Sequence, residues 1–242
     1  MRHSVIGMTT LFAAALFVAG WLSVDHLNMG QARVNGLHPA KQTPKTLSAV
    51  VDSQTLDVIE ADLIKRDYLK AFEELRALEA EYPENAEVKA WLGYTHQQLQ
   101  DYGQALLYYQ DALRYDAEKV SVWMQTGKVW LALGQPEQAV THYQQAVKKW
   151  PDDAALVSAM ADAYRQNRQI DASRLAYERA IALDHNYAPA YYGLGRLYEN
   201  AVDYSQATRY YQKVIEKAPN TSDYAPYAKQ AQVGLDRLKL GH

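Results

Sequence analysis

The sequence predicts an all-α fold in which helical hairpins stack into a solenoid. Three observations predict it: small residues recur every 34 residues, a large residue follows each of them four positions later, and proline closes several of the units. The small residues are Ala71, Ala105, Ala139, Ser173 and Ala207, and the large ones are Leu75, Tyr109, Tyr143, Tyr177 and Tyr211. Because one hairpin cannot bury its apolar face alone, five such units without an insertion must stack on one another.

Each unit is predicted to contain two helices joined by a tight turn. In the third unit, residues at helical spacing form one apolar face in each helix. These faces consist of Trp123, Gly127 and Trp130 in the first helix and of Ala139, Tyr143 and Ala146 in the second. We expect Gly127 and Ala139 to let the two backbones approach closely, with aromatic rings beside them. The segment Gly134-Gln135-Pro136 between the helices has the composition of a turn.

The units resemble tetratricopeptide repeats. The resemblance is carried by Trp91-Leu92-Gly93 with Ala105, Tyr109 and Ala112, and by Trp123, Gly127 and Trp130 with Ala139, Tyr143, Ala146 and Pro151. It implies a right-handed α-solenoid over residues 51–219, with repeats at about 52–85, 86–119, 120–153, 154–187 and 188–221. The first repeat departs most, since Asp62 stands where an aromatic residue is usual. Residues 222–242 are expected to form a helix that caps the solenoid.

Residues 1–24 are predicted to form an N-terminal transmembrane helix or a signal segment. The run from Ser4 to Val24 has no charged residue, and about 20 largely apolar residues are enough to span a bilayer as a helix. A cleaved secretory signal is the alternative, since Val18-Ala19-Gly20 could precede a cleavage site. The head of the chain therefore predicts either attachment to a membrane through residues 4–24 or secretion.

The charges around this run predict the side of the membrane on which the repeats lie. Arg2 precedes the run and Asp25 follows it, so the positive-inside rule leaves the N-terminus in the cytoplasm. We expect a single-pass protein of a bacterial inner membrane with its repeats in the periplasm, or a periplasmic protein if the signal is cleaved. Residues 25–50 contain two glycines and two prolines and predict a flexible linker.

Composition excludes several classes of function. Residues 1–50 carry a net charge of +3 and the remainder −6, so an acidic body is a poor match for nucleic acid. The absence of cysteine excludes disulfides, thiolate metal sites and cysteine nucleophiles. No arrangement of nucleophile, base and acid stands out, and neither does a metal-binding or phosphate-binding motif. We therefore expect a protein that is not an enzyme and that needs no cofactor.

The resemblance implies that the first helix of each repeat lines a concave groove that binds a peptide. Taken by register, the groove residues are Tyr94, Met124, Lys128, Asp162, Arg165, Tyr192 and Arg196. The chaperone-docking type of groove is excluded, because Leu56, Glu60, Ala90 and Tyr94 do not match its lysines and asparagines. Aromatic and cationic side chains together predict a peptide with apolar anchors and an acidic group or a free carboxylate.

Anchor, linker and repeats together resemble bacterial envelope scaffold proteins. The resemblance implies a membrane-anchored scaffold that binds a protein or peptide during assembly or maturation of an envelope complex, for example in cytochrome c maturation, pilus assembly or secretion. The ligand is then an unfolded client or a component of a membrane complex. The alternative is a structural subunit that uses its repeats for permanent docking or self-association. Polar residues predicted on the convex side, such as Gln110, Gln144 and Lys148, argue against a broad apolar patch there.

Overall fold

The computed structural model describes residues 51–218 and 223–239, and all regular structure in these residues is α-helical. The helices are α1 (Ser53–Ile64), α2 (Tyr68–Glu81), α3 (Ala86–Gln98), α4 (Tyr102–Tyr115), α5 (Val120–Ala132), α6 (Pro136–Lys149), α7 (Ala154–Gln166), α8 (Ile170–Leu183), α9 (Ala188–Asn200), α10 (Tyr204–Lys217) and α11 (Ala225–Lys239). They form five successive pairs and a final helix, which confirms the predicted solenoid. The predicted helix at 1–24 and the linker at 25–50 lie outside the described residues. Within the described ranges, no helix is both long and apolar enough to cross a membrane.

The turn inside each helix pair has the same backbone geometry. One residue per turn has a positive φ, at intervals of 34 residues: Arg66, Gln100, Gly134, Arg168 and Val202. In the fifth pair, the next N–H, that of Asp203, donates to the Tyr198 carbonyl at 2.9 Å, and this bond closes α9. Asp203 then caps α10 by accepting a hydrogen bond from the Gln206 N–H, and Asp67 and Asp101 cap α2 and α4 in the same way. The turns therefore end one helix and begin the next within three residues.

Tyrosines of the second helices form the centre of the core. Four of them are at most 1% exposed: Tyr109, Tyr143, Tyr177 and Tyr211. A Cβ atom added to Gly127 would lie 2.1 Å from the Tyr143 ring. The sequence suggested that Gly127 lets two helix backbones approach each other. In the structure, Gly127 is required because the Tyr143 ring lies against it. Gly93 and Gly195 meet Tyr109 and Tyr211 in the same way.

The first helices of the pairs lie on the inner side of the solenoid. Contacts join α3 to α5, α5 to α7, α7 to α9 and α9 to α11, while no comparable contact joins two second helices of the described pairs. The first helices are thus the more closely spaced set, as on the inside of a curve. We call the exposed side of α1, α3, α5, α7 and α9 the inner surface. It corresponds to the predicted groove.

The final helix caps the last pair, as expected. Helix α11 packs against α9 and α10, and Gly234 lies against the ring of Tyr211. Arg237 on α11 donates two hydrogen bonds to the Glu199 carboxylate, from Nε at 2.7 Å and from Nη2 at 3.0 Å. Packing and this bidentate ion pair therefore hold the cap in place.

Trp91 does not occupy the position that Trp123 has in the next pair. The residue 34 positions before Trp123 is Lys89, and its side chain is buried in place of an aromatic ring. Its Nζ donates to Glu79 Oε1 at 2.7 Å, which satisfies the buried charge. Trp91 lies two residues further on, a different helical face, and borders a cavity on the inner surface.

Candidate functional site

All seven predicted groove residues lie on first helices, in four successive pairs. Tyr94 is on α3, Met124 and Lys128 are on α5, Asp162 and Arg165 are on α7, and Tyr192 and Arg196 are on α9. The 34-residue register thus brings them to one side of the solenoid. Their environments differ, and the differences decide which of them are available to a ligand.

Asp162 and Arg165 form an ion pair within the chain. Arg165 Nη2 donates to Asp162 Oδ1 at 3.0 Å, and the same oxygen accepts a hydrogen bond of 2.7 Å from the Tyr177 hydroxyl. The Arg165 side chain is only 15% exposed. Asp162 therefore positions Arg165 and Tyr177, and it is less available to a ligand than the sequence suggested.

Lys128 and Arg196 are the available cations of this surface. Both residues are exposed, and neither forms an ion pair with another described residue. Partial desolvation lowers the pKa of Lys128, against the opposing attraction of the Asp162 carboxylate. The Arg196 guanidinium carbon lies 6.0 Å from the centre of the Tyr192 ring, a distance at which cation–π attraction operates. Both side chains can accept an acidic partner without giving up an existing ion pair.

Met124 and Tyr192 contribute as much to packing as to the surface. Met124 is half-buried against the central core, and its carbonyl accepts a hydrogen bond of 2.9 Å from the Tyr143 hydroxyl. The Tyr192 ring lies 5.7 Å from that of Tyr227 on α11 and 5.9 Å from that of Tyr211. The capping helix therefore covers part of the predicted groove at its C-terminal end.

A cavity of about 370 Å³ lies between α1, α3 and α5; we call it the N-terminal cavity. The rings of Trp91 and Tyr94 border it in a T-shaped arrangement, with centroids 5.9 Å apart and planes at 88°. Two carboxylates, those of Glu60 and Glu87, also line it. Of these residues the sequence predicted Tyr94 as a site residue and placed Glu60 at a groove position by register. The sequence did hold a signal that Trp91 lies outside the core. Trp91 is two residues past Lys89, which is the position equivalent to Trp123 in the next pair.

The inner surface offers charges and aromatic rings. Within the described ranges, no group of histidine, aspartate and glutamate side chains is placed to hold a metal ion. Unpaired cations, an apolar cavity and exposed aromatic edges are features of surfaces that bind other proteins.

Family models for tetratricopeptide repeats match three parts of the chain. Residues 92–154 and 189–221 each match a tetratricopeptide repeat model, and residues 161–201 match a third model described as a TPR repeat. Together the matches cover just over half of the chain. All three describe a structural repeat and not an enzyme. A search of curated proteins found no significant match.

Several solved structures have the same fold at low sequence identity. MamA from Desulfovibrio magneticus RS-1 is 19% identical, with a TM-score of 0.59 over 70% of this chain and 96% of that chain. PilF from Pseudomonas aeruginosa is 16% identical, with a TM-score of 0.61 over 78% and 92%. YrrB, described as a TPR protein with an unusual peptide-binding site, is 19% identical, with a TM-score of 0.52 over 73% and 90%. At these identities the likeness shows the fold alone.

Proposed function

Because the chain belongs to the tetratricopeptide repeat family, we propose that it is a non-catalytic scaffold that binds a segment of another protein on its inner surface. One observation carries this proposal: Lys128 and Arg196 are exposed and unpaired on α5 and α9, with Arg165 on α7 between them. Two unpaired cations on α5 and α9, with the ion-paired Arg165 between them, suit an extended ligand. The peptide-binding site of YrrB, which has the same fold, supports this use of the repeats.

The ligand of this proposal carries an acidic group or a free carboxylate together with apolar anchors. Charge-assisted hydrogen bonds from Lys128 and Arg196 hold the acidic group and are stronger than neutral ones. The half-buried side chains of Tyr94, Met124 and Tyr192 supply contact area beside them. Aromatic and arginine side chains carry much of the binding energy at protein interfaces.

Attachment to a membrane is part of the same proposal. The uncharged run at residues 4–24 and the linker at 25–50 support a single-pass anchor with the repeats in the periplasm, serving assembly or maturation of an envelope complex. The full-length protein then sediments with membranes and resists carbonate extraction. A soluble mature protein whose first residue is Trp21 or a later one would instead establish secretion after signal cleavage.

Site-specific photocrosslinking in cells tests where the partner binds. A photoreactive residue replaces either Ser121, which is exposed on the inner surface on α5, or Gln110, which is exposed on the second helix α4. The proposal predicts a defined crosslinked partner from position 121 and none from position 110. Crosslinks from position 110 alone would place binding on the outer side and contradict it.

A structural subunit that docks permanently or self-associates is the alternative. The observation that favours it is the exposure of Leu107 and Leu175 on the second helices α4 and α8, at 56% and 57%. These leucines lie two repeats apart, with exposed Gln144 and Lys148 on the intervening second helix. Singly scattered apolar residues are ordinary on protein surfaces, so the scaffold is the better supported function.

A further inference from the structure

The N-terminal cavity lies on the same inner surface as Lys128 and Arg196 but presents the opposite charge. Glu60 on α1 is exposed and forms no ion pair with another described residue. The Glu87 carboxylate is 3.9 Å from Lys119 Nζ and remains 48% exposed. Lys119 also lines the cavity and pairs loosely with Glu87, so one of its two carboxylates, that of Glu60, has no cation opposite it among the described residues.

The aromatic rings at the cavity suit the same kind of ligand. Trp91 and Tyr94 meet at nearly a right angle, with ring centroids 5.9 Å apart, and both border the open space. Tryptophan and tyrosine are the rings whose faces attract ammonium and guanidinium groups most strongly. An unpaired carboxylate beside two such rings combines ion-pair and cation–π attraction in one place.

The remaining walls select a cation with an apolar stem. Leu63, Ala90 and Val122 line the cavity, and its volume of about 370 Å³ is near the lower end of the range for ligand pockets. Lysine and arginine side chains place an apolar stem along such walls while the charged head stays near water. A bulky apolar side chain would fill the space but would leave Glu60 unpaired.

We infer that the N-terminal cavity binds a lysine or arginine side chain of the partner segment, between the Trp91–Tyr94 pair and the Glu60 carboxylate. This inference rests on the proposed function, since the segment that supplies the cation is the one held at Lys128 and Arg196. The partner segment then has a basic residue at the α1–α5 end and an acidic group at the α5–α9 end. Opposite charges at the two ends fix the direction in which the segment binds, because the reversed segment would place like charges together.

The experiment titrates N-acetylarginine methylamide into the full-length protein in detergent, with tryptophans labelled by fluorine. The fluorine resonance of Trp91 is assigned with the Trp91→Phe variant. We expect it to shift saturably with a dissociation constant on the order of millimolar, as suits one isolated side chain. N-acetylcitrulline methylamide, which has the same shape without the charge, should bind at least about fivefold more weakly.

A matched pair of variants makes the result specific to the cavity. Glu60→Gln should weaken arginine binding severalfold, whereas Glu137→Gln on α6, another exposed carboxylate without an ion pair to a described residue, should leave it unchanged. Equal shifts from the arginine and citrulline compounds, or no shift at Trp91, would overturn the inference. Neither result changes the outcome of the crosslinking test at Ser121. The proposed function can therefore be confirmed even if the cavity does not bind a cation.

Discussion

The hydroxyl of Tyr177 donates a 2.7 Å hydrogen bond to the Asp162 carboxylate and so connects the core of the fourth helix pair to its inner surface. Burial raises the pKa of Tyr177 well above its ordinary value, which keeps the hydroxyl a donor. The other core tyrosines make equivalent bonds: Tyr109 to Gln97 Oε1 at 2.7 Å, Tyr143 to the Met124 carbonyl at 2.9 Å, and Tyr211 to Glu199 Oε2 at 2.5 Å. In each repeat from the second to the fifth, the buried tyrosine of the second helix therefore holds a polar group of the first helix in place.

Tyr177→Phe should lower the free energy of unfolding by about 1–2 kcal/mol, because a buried hydrogen bond to a charged group is lost. Urea denaturation measures the change. Tyr164→Phe is the control, since the Tyr164 hydroxyl accepts a hydrogen bond from the exposed Gln144 side chain, and its loss should cost less than about 0.5 kcal/mol. If both variants lost the same free energy of unfolding, the hydrogen bond from Tyr177 to Asp162 would stabilise the fold no more than an exposed one.

Gly127→Ala should destabilise the protein by about 1–3 kcal/mol, although alanine is ordinarily the better helix former. The added methyl group would meet the buried Tyr143 ring at 2.1 Å. Gly103→Ala in α4 is the matched control, because the nearest atom to its Cβ is 3.9 Å away. Thermal melts should show this control unchanged or more stable by about 0.5 kcal/mol. Stabilisation by Gly127→Ala would refute the packing described here.

Val202→Gly should raise the free energy of unfolding by about 0.5–1 kcal/mol. Val202 has φ +62°, a left-handed conformation that is sterically unfavourable for a β-branched residue. Glycine adopts this conformation without that steric cost, and we expect the gain to exceed the larger chain entropy that glycine loses on folding. The side chain is 66% exposed, so its removal costs little packing. At the equivalent position of the third pair, Gly134→Ala should destabilise by about 1 kcal/mol, with φ +69° as the cause. Chemical denaturation of both variants should give changes of opposite sign.

Acid should weaken the attachment of the capping helix. Burial alone would raise the pKa of Glu199, but hydrogen bonds from Arg237 and Tyr211 outweigh it and hold the pKa below its ordinary value of 4.5. A carboxyl group with a lowered folded pKa stabilises the fold above its unfolded pKa, and this contribution is lost as the pH falls through the folded pKa. The contribution is therefore complete above about pH 4.5 and lost at lower pH.

Arg237→Met isolates this effect. The difference in unfolding midpoint between the wild type and the variant should be largest near pH 7 and should shrink steadily below about pH 4.5. Denaturation curves measured across that range supply the comparison. A difference that stays constant with pH would show that packing of α11, and not the Glu199 ion pair, accounts for the loss.

The sequence predicted the fold better than it predicted the site. A 34-residue period determines which residues share a helix face, so Lys128, Arg165 and Arg196 were placed on first helices without a structure. The period does not determine how side chains pair. The bonds of Asp162 to Arg165 and Tyr177 depend on rotamers and on a residue 15 positions away. Such contacts decide which residues of the predicted face remain available to a ligand.

The N-terminal cavity was missed because one repeat departs from the pattern. Lys89 takes the core position of the second repeat, so Trp91 is left to the inner surface. In the sequence, Trp91 contributed to the resemblance as part of Trp91-Leu92-Gly93 and was not predicted as a site residue. Only the buried ion pair of Lys89 with Glu79 explains why a charged residue can replace the ring.

Calorimetric titration of the partner identified by crosslinking tests the central claim most directly. The titrated proteins are the wild type, a Lys128→Glu, Arg196→Glu variant, and a Lys148→Glu, Arg209→Glu control with the same change in net charge on exposed residues of second helices. We expect the inner-surface variant to bind at least about 100-fold more weakly, the control to bind like the wild type, and all three proteins to melt alike. Wild-type affinity should also fall with added salt. Undiminished binding by a normally folded Lys128→Glu, Arg196→Glu protein would contradict the account.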